Sequence, residues 1–557
     1  MTAPSLVSTD SVCFFTHHQE FPGNSRLFLD YLHGSDQLAA FFPGFSSQIL
    51  SVQHLATLAP TIAAEHLERD TLVEVLLEQN RNWGATPHTF AQIDRLRNQQ
   101  TVAIVGGQQA GLFGGPLLSV YKALTVIHLA DQLTHAGTPA VPVFWIASED
   151  HDFAEVNHTV LFGRDGGLVK IPYQDSALSQ PPVGKRTIGS SIDQSWEALV
   201  AALPETDFTA GILAGLREAY ATGAGWCDAF ARWMTRLFSQ YGLIVMDPRD
   251  ARLKTAARQV FEAAISDRQE LASAIHRQSQ ALVEAGYHAQ VKTDVNQSLV
   301  FVELNETRTS LIQTSEGFQT KSTSGDQHLF SAEALMAIFE SDPLRITPNA
   351  LLRPVVQDVL LPTVAQVVGP AELAYLAQSQ PIYDHLKRTA PVRWPRSGMT
   401  LVERRHLKTL EKFQFSLIDV VSGEQTLMRR ILTEILDSST ADLFTETEAL
   451  FNTQLDKLQA SLDRQDPTLA KALAQSREKI LYQLNHLQNR FLNSRSQAED
   501  ATRRQIERAV VALYPDNGKQ EREMNLLPFL ARYGWDLVDR LHRELKVDPA
   551  HHQWLVV

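Results

Sequence analysis

One stretch constrains the fold of this chain more than any other. Thr101 to Val105 is a β-rich run that enters a glycine-rich turn, Leu117 to Leu133 reads as a helix, and Val141 to Ala147 is a second apolar strand. A strand–helix–strand unit normally makes two parallel strands with a right-handed crossover. The second strand ends abruptly in Glu149, Asp150, His151 and Asp152, and Glu155, Asn157 and His158 follow at once. In open α/β sheets, ligands bind just beyond the carboxyl ends of strands. Carboxylates and imidazoles crowded there shift one another's pKa and serve as acids, bases or ligands.

The alternation continues on both sides of this unit. Residues 1–100 read as mainly helical, with Phe-Pro-Gly turns at 21–23 and 42–44. Residues 159–210 read as a β-containing insertion, helix follows from about 211 to 240, and Gly242 to Asp247 is another buried strand ending in an acid. Helix is expected from about 252 to 285, and a second insertion with short strands over about 285–340. Thr347 to Leu361 reads as helix, Thr363 to Val368 as strand and Ala371 to Arg388 as helix. This pattern predicts an α/β core over residues 1–398.

From about 399 to 514 the texture is helical. Phe451, Leu455, Leu458 and Leu462 repeat at four, three and four residues, and Leu469, Leu473, Ile480, Leu484, Leu487 and Phe491 resume the pattern after Asp466-Pro467. That is a heptad seam broken by a helix N-cap and first-turn pair, so an antiparallel helical hairpin is expected. Residues 515–557 lose the seam and are expected to pack back on the core.

The chain has 557 residues and a net charge of -13, which argues against a nucleic-acid coat protein but leaves room for a local basic pocket. Its two cysteines, Cys13 and Cys227, make neither a disulfide framework nor a cysteine metal cluster. No signal peptide or membrane-length apolar run is evident, so a cytoplasmic location is expected.

Four blocks carry chemistry. In Gly106 to Pro116, glycines let backbone N–H groups approach an anion, and Gln108 and Gln109 can bond a polar ligand. The block is neither a dinucleotide fingerprint nor a phosphate loop, and a tight packing turn is an equal reading. In the Glu149–His158 block, His151 held by Asp150 or Asp152 suits acid–base work. A divalent metal site, or a solvated helix-capping loop, remain alternatives. In Thr347 to Asp358, Arg353 and Gln357 share a helix face beside Asp358. Arg353 either grips a carboxylate or phosphate, or pairs with Asp358. In Val367 to Tyr375, a strand ends at Gly369, and Pro370 opens a helix with Glu372 in its first turn. Lys185 and Arg186 read as cations of a mobile loop, and Cys227 as a packed residue.

Taken together, Gly107-Gln-Gln-Ala-Gly-Leu-Phe-Gly-Gly-Pro116 with Tyr121-Lys-Ala123, Pro142-Val-Phe-Trp145 with Glu149-Asp-His-Asp152 and Asn157-His158, Pro348-Asn-Ala-Leu-Leu-Arg-Pro354 with Gln357-Asp358 and Leu361-Pro-Thr363, and Gly369-Pro-Ala-Glu-Leu-Ala-Tyr375 resemble the bacillithiol-biosynthesis cysteine-adding enzymes, a cysteine ligase family. The layout matches almost end to end, with one departure: Gly106 stands where the resemblance leads one to expect threonine. The resemblance implies a Rossmann-like parallel-sheet core with inserted connecting segments, and a coiled-coil arm that mediates a homodimer. It implies a ligase that adds cysteine to the amino group of glucosaminyl-malate, with ATP as the expected source of activation. In that reading Gly107, Gln108, Gln109 and Gly111 cradle an anionic group. His151, positioned by Asp150 or Asp152, helps deprotonate the amine. Arg353 receives the malate carboxylates or a phosphate, while Asn157 and His158 orient the substrate. Glu149, Gln357, Asp358, Gly369 and Glu372 complete the expected binding set. The alternatives are a metal-dependent hydrolase or transferase built on the Glu149–His158 cluster, and a non-catalytic dimeric scaffold.

Overall fold

Five parallel strands organise the first part of the molecule: β1 (Val102–Gln108), β2 (Ala140–Ile146), β3 (Ile244–Met246), β4 (Thr363–Val368) and β5 (Val392–Pro395). The computed structural model describes residues 13–557 except 47, 165, 175–180, 322–326, 436–437 and 495–499. The sheet order is β5-β4-β1-β2-β3. The chain therefore winds outward from β1 through β2 to β3, then returns and winds the other way through β4 to β5. The reversal opens a crevice between the carboxyl ends of β1 and β4, the topological switch point of a Rossmann-like sheet.

Burial on both faces explains the apolar strand sequences. Ala103 and Val105 of β1, Val141, Val143 and Trp145 of β2, and Ile244 and Met246 of β3 join one core cluster, which helices from residues 70–96, from 251–284 and from the second insertion help to complete. The alternate residues face helix α1 (Leu117–His135), as the two-residue period of a strand requires. Gly106 is on that face: a Cβ there would meet Val126 Cγ2 at 2.8 Å and Lys122 Cγ at 3.0 Å. The missing side chain is thus where the stem of Lys122 lies across the strand.

The chain divides into two units, Met1–Thr400 with Gln520–Leu555, and Leu401–Lys519 with the last two residues. In the first unit, strands Gln297–Leu304, Thr307–Gln313, Phe318–Thr320, Leu329–Phe330 and Ile346–Pro348 form an antiparallel sheet, with Ile346–Pro348 at one edge. This corrects the expected helix over 347–361. The Asn349 side chain accepts hydrogen bonds from the Leu351 and Leu352 amides, and helix α2 begins only at Arg353 and runs to Leu360. The expected helix over 252–285 is three helices, broken at Ala257 and Asp267. Strand β5 and the helix Ala332–Ser341 had no distinct sequence signal. Helix α3 (Pro370–His385) follows β4 directly.

In the second unit, helices Ser438–Gln465 and Pro467–Ser494 form the hairpin, with the Asp466 carboxylate accepting from the Thr468 amide at 2.9 Å. Leu455, Leu462, Leu473 and Leu484 are half-buried in it. Leu450, Leu458, Leu469 and Leu487 remain 46–59% exposed, apolar side chains spread over both helices of the hairpin. Among the described residues no helix is long and apolar enough to cross a membrane.

The glycine loop sets a test of packing. A Cβ on Gly111 would approach the Gly115 Cα to 2.6 Å, because the two backbones cross. Gly111→Ala is expected to lower the unfolding free energy by about 1–3 kcal/mol, read from the urea midpoint. An unchanged midpoint would mean that the crossing is loose.

Candidate active site

The strand ends deliver two polar groups, one at the switch point and one beyond β2, and consecutive glutamines tie them together. Gln108 closes β1 and its Oε1 accepts from Lys122 Nζ at 3.3 Å. Gln109, one residue on, faces the other way and donates from Nε2 to Asp150 Oδ2 and Glu155 Oε2, each at 2.7 Å.

At the switch point Lys122 is 1% exposed. Its ammonium donates to the Gly107 carbonyl and to Glu372 Oε2, both at 2.6 Å. Burial pulls its pKa down, and the Glu372 charge opposes the shift. Glu372 also accepts from the Gly369 amide at 2.8 Å, so it caps α3 and holds Lys122 at once. Arg353 opens α2 nearby. It donates to Gln357 Oε1 at 3.2 Å and Tyr375 Oη at 3.3 Å, both neutral groups. It has no ion-pair partner among the described residues.

The Arg353–Asp358 pairing, one of the two readings of this block, does not form, and Asp358 takes other partners. Asp358 accepts from Gln357 Nε2 at 3.0 Å and Tyr383 Oη at 2.5 Å, and lies 3.5 Å from Arg393. Gln357 and Asp358 are 0% and 4% exposed. They brace α2 and α3 from inside and do not present their polar groups to a ligand.

Beyond β2, the Asp150 carboxylate folds back on its own turn. Oδ1 accepts from the His151 amide at 2.7 Å and the Asp152 amide at 3.2 Å. Burial opposes its ionisation, but the contacts from His151, Gln109 and Asp152, with the charge of Arg308, outweigh this and hold the carboxyl well below the usual range. The His151 ring meets Arg308, whose Nη1 lies 3.0 Å from Nδ1. Arg308 comes from the inserted antiparallel sheet, in strand Thr307–Gln313. Its Nε donates to Thr347 Oγ1 at 2.9 Å, its Nη2 to the Pro348 carbonyl at 2.7 Å, and it stacks 3.7 Å over Phe301. Glu149 turns inward and pairs with the buried Lys254. Asn157 and His158 pack on the start of a hairpin: His158 Nδ1 contacts the Ala154 carbonyl at 3.1 Å, and burial, with Lys170 nearby, lowers its pKa. Asp152 and Glu155 are exposed at the rim.

The glycine loop is largely held by the protein itself. The amides of Leu112 and Leu117 donate to Val156 and Met524 carbonyls, and that of Gly114 to Tyr220 Oη. Asn525, buried and far along the chain, donates to the Phe113 and Gly115 carbonyls and to Thr159 Oγ1. Trp226 Nε1 donates to the Ala110 carbonyl at 2.7 Å. Ala110 and Gly111 are buried, and the Gly111 carbonyl accepts from Tyr220 Oη, which leaves Gly107, Gln108 and Gln109 as the half-buried part of the loop able to meet a ligand. Lys185 pairs with Glu303, and Arg186 stacks 4.2 Å over Phe153. Cys227 is buried, with its thiol pushed up by burial.

Among the described residues, no three His, Cys, Asp or Glu side chains gather as a metal-ligand group. Arg308, Lys254 and Asn525 are the site residues that sequence reasoning missed, and Lys122, quoted in the resemblance, was given no role. Lys122 alone left a signal, as the single Lys or Arg in the Leu117–His135 helix.

Comparisons with known proteins agree with this architecture. The family model described as the bacillithiol biosynthesis BshC N-terminal Rossmann-like domain matches residues 15–397, and that for the C-terminal coiled-coil domain matches 399–557. A Koribacter versatilis protein named "Putative cysteine ligase BshC" is 34% identical over 532 residues, 96% of this chain and 97% of its own. Proteins of the same name from Solibacter usitatus and Salinibacter ruber are 33% and 32% identical, covering 98% and 95% of this chain and 100% and 95% of their own.

Two outcomes follow for the buried acids. Asp358→Ala strands Arg393 and should cost about 3–5 kcal/mol of stability in a denaturant titration. A loss of activity with unchanged stability would instead make Asp358 a ligand-facing group. Asp247, at the end of β3, accepts from Ser148, and burial raises its pKa from 3.8 to about 6. The folded state therefore holds this proton where the unfolded chain has lost it, so stability falls as pH rises through that window. Asp247→Asn should flatten the fall between about pH 4 and 6 in melting scans. An unaltered pH profile would show that Asp247 titrates normally.

Proposed function

The chain belongs to the BshC family of bacillithiol biosynthesis, and on that premise we propose that it is the ligase joining the carboxyl group of L-cysteine to the amino group of glucosaminyl-malate, the last step of that pathway. The observation that carries this reading is Arg353. The Arg353 guanidinium hydrogen-bonds neutral groups and feels the Glu372 and Asp358 charges only from a distance, so it can stabilise an incoming anion, and its two-pronged geometry suits a carboxylate. The malate end of the acceptor supplies such carboxylates. The exposed Asp152 and Glu155 at the opposite rim suit the amino group.

Amide formation requires an activated carboxyl group, and ATP is the proposed source. Gly107, Gln108 and Gln109 are the half-buried groups able to face its phosphates. Lys122 is already bound to Glu372 and Gly107, so it does not serve as a phosphate-loop lysine. Two copies of the chain associate through the exposed leucines of the helical hairpin. A reducing cytoplasm suits the thiol substrate and the two unpaired cysteines.

Pure protein incubated with cysteine, glucosaminyl-malate and ATP is expected to yield the condensed thiol, detected by mass. Arg353→Ala should raise the KM for glucosaminyl-malate by roughly 100-fold, the equivalent of about 3 kcal/mol. An unchanged KM would remove Arg353 from acceptor binding, and no product under any nucleotide condition would count against the ligase reading.

A further inference from the structure

His151 is the obvious candidate for a general base, and its surroundings argue otherwise. A neutral imidazole has one N–H and one bare nitrogen, and the hydrogen bond at one nitrogen fixes the role of the other. Two groups compete for Nδ1. Arg308 Nη1 lies 3.0 Å away and the nearer Asp150 oxygen 3.6 Å away. At 3.6 Å the Asp150 contact is longer than a hydrogen bond, although the carboxyl still responds to the ring beside it, and the shorter contact from Arg308 decides the role of Nδ1. That same Asp150 oxygen already accepts two backbone amides, and its other oxygen accepts from Gln109.

A guanidinium can only donate. Nδ1 must therefore accept, and the ring proton resides on Nε2. Arg308 has little freedom to turn away, because Thr347, Pro348 and Phe301 hold the guanidinium on three sides. The opposite tautomer, with a bare Nε2 able to take a proton, would point an N–H at this fixed cation.

We propose that His151 works as a neutral hydrogen-bond donor through Nε2–H, aimed at an oxygen of the bound substrate that carries or gathers negative charge, and that Arg308 is the positioning residue that fixes this tautomer. This deepens the ligase reading and rests on it for the identity of the substrate oxygen: a carboxylate, or a carbonyl oxygen that becomes an oxyanion. A preorganised donor of this kind stabilises charge without giving up its proton. The inserted sheet thereby acquires a role in the chemistry, since it carries Arg308 and the Thr347–Pro348 edge strand that anchors it.

Two measurements on the full-length protein test the proposal. With 15N-labelled histidine, the His151 signal, identified by its loss in His151→Gln, should report a protonated Nε2 and a bare Nδ1. Arg308→Ala should convert it to a mixture of tautomers. A protonated Nδ1 in the unaltered protein overturns the proposal, whatever reaction the protein catalyses. In the ligation assay, His151→Gln keeps a donor near the Nε2 position and should retain activity within about tenfold of the starting protein. His151→Ala, which keeps none, should fall by roughly 100-fold or more. Equal losses in the two variants overturn the donor role. If the unaltered protein forms no product, the ligase reading fails separately, and the tautomer result still stands.

Discussion

The reversal of strand order between β1 and β4 is the constraint on which the site depends. All five strands are parallel, so their carboxyl ends share one edge of the sheet. At the reversal the connecting helices leave toward opposite sides, and a crevice opens where Gly107, Gln108, Gly369 and Glu372 meet. Residues more than two hundred positions apart become neighbours for that reason alone. The Lys122–Glu372 pair at 2.6 Å is its direct expression.

Buried charge is what keeps this edge in shape. Lys254 with Glu149 and Arg393 with Asp358 are enclosed, Lys122 is buried against a partly exposed Glu372, and each pair ties an element of the Rossmann-like core to a neighbour. Such pairs add little net stability, but breaking one is costly, so they act as fixed pins. Arg353 differs in having neutral partners only. The contrast separates groups that hold the site from the one proposed to receive an anion. The Asn525 side chain and Trp226 indole serve the same end with neutral hydrogen bonds, fixing the glycine loop so that only its first residues face outward.

Much of this was legible in the sequence, and the failures have physical causes. The first strand–helix–strand unit, the Gly369–Pro370 helix start and the heptad hairpin were readable because each depends on local period and capping. The helix over 347–361 was overextended because an Asn349 cap and a ladder to residues 300–302 override local propensity. Arg308 was invisible for a related reason. It follows a two-residue hairpin turn at Asn305 and Glu306, with φ of 48° and 63°. That turn usually carries glycine at its second position, so the hairpin was weakly marked. Its partner His151 lies 157 residues earlier, a separation no local pattern reports. Asp358 was misplaced because the sequence cannot tell which of two arginines, 353 or 393, packing brings to a carboxylate.

Hydrogen–deuterium exchange on the full chain, with and without glucosaminyl-malate, tests most directly whether these distant segments form one binding site. The account requires ligand protection in peptides covering 106–112, 148–153, 307–309 and 346–353 together, with the 438–494 hairpin unaffected. Protection confined to the hairpin, or to one of those segments without the others, would contradict it.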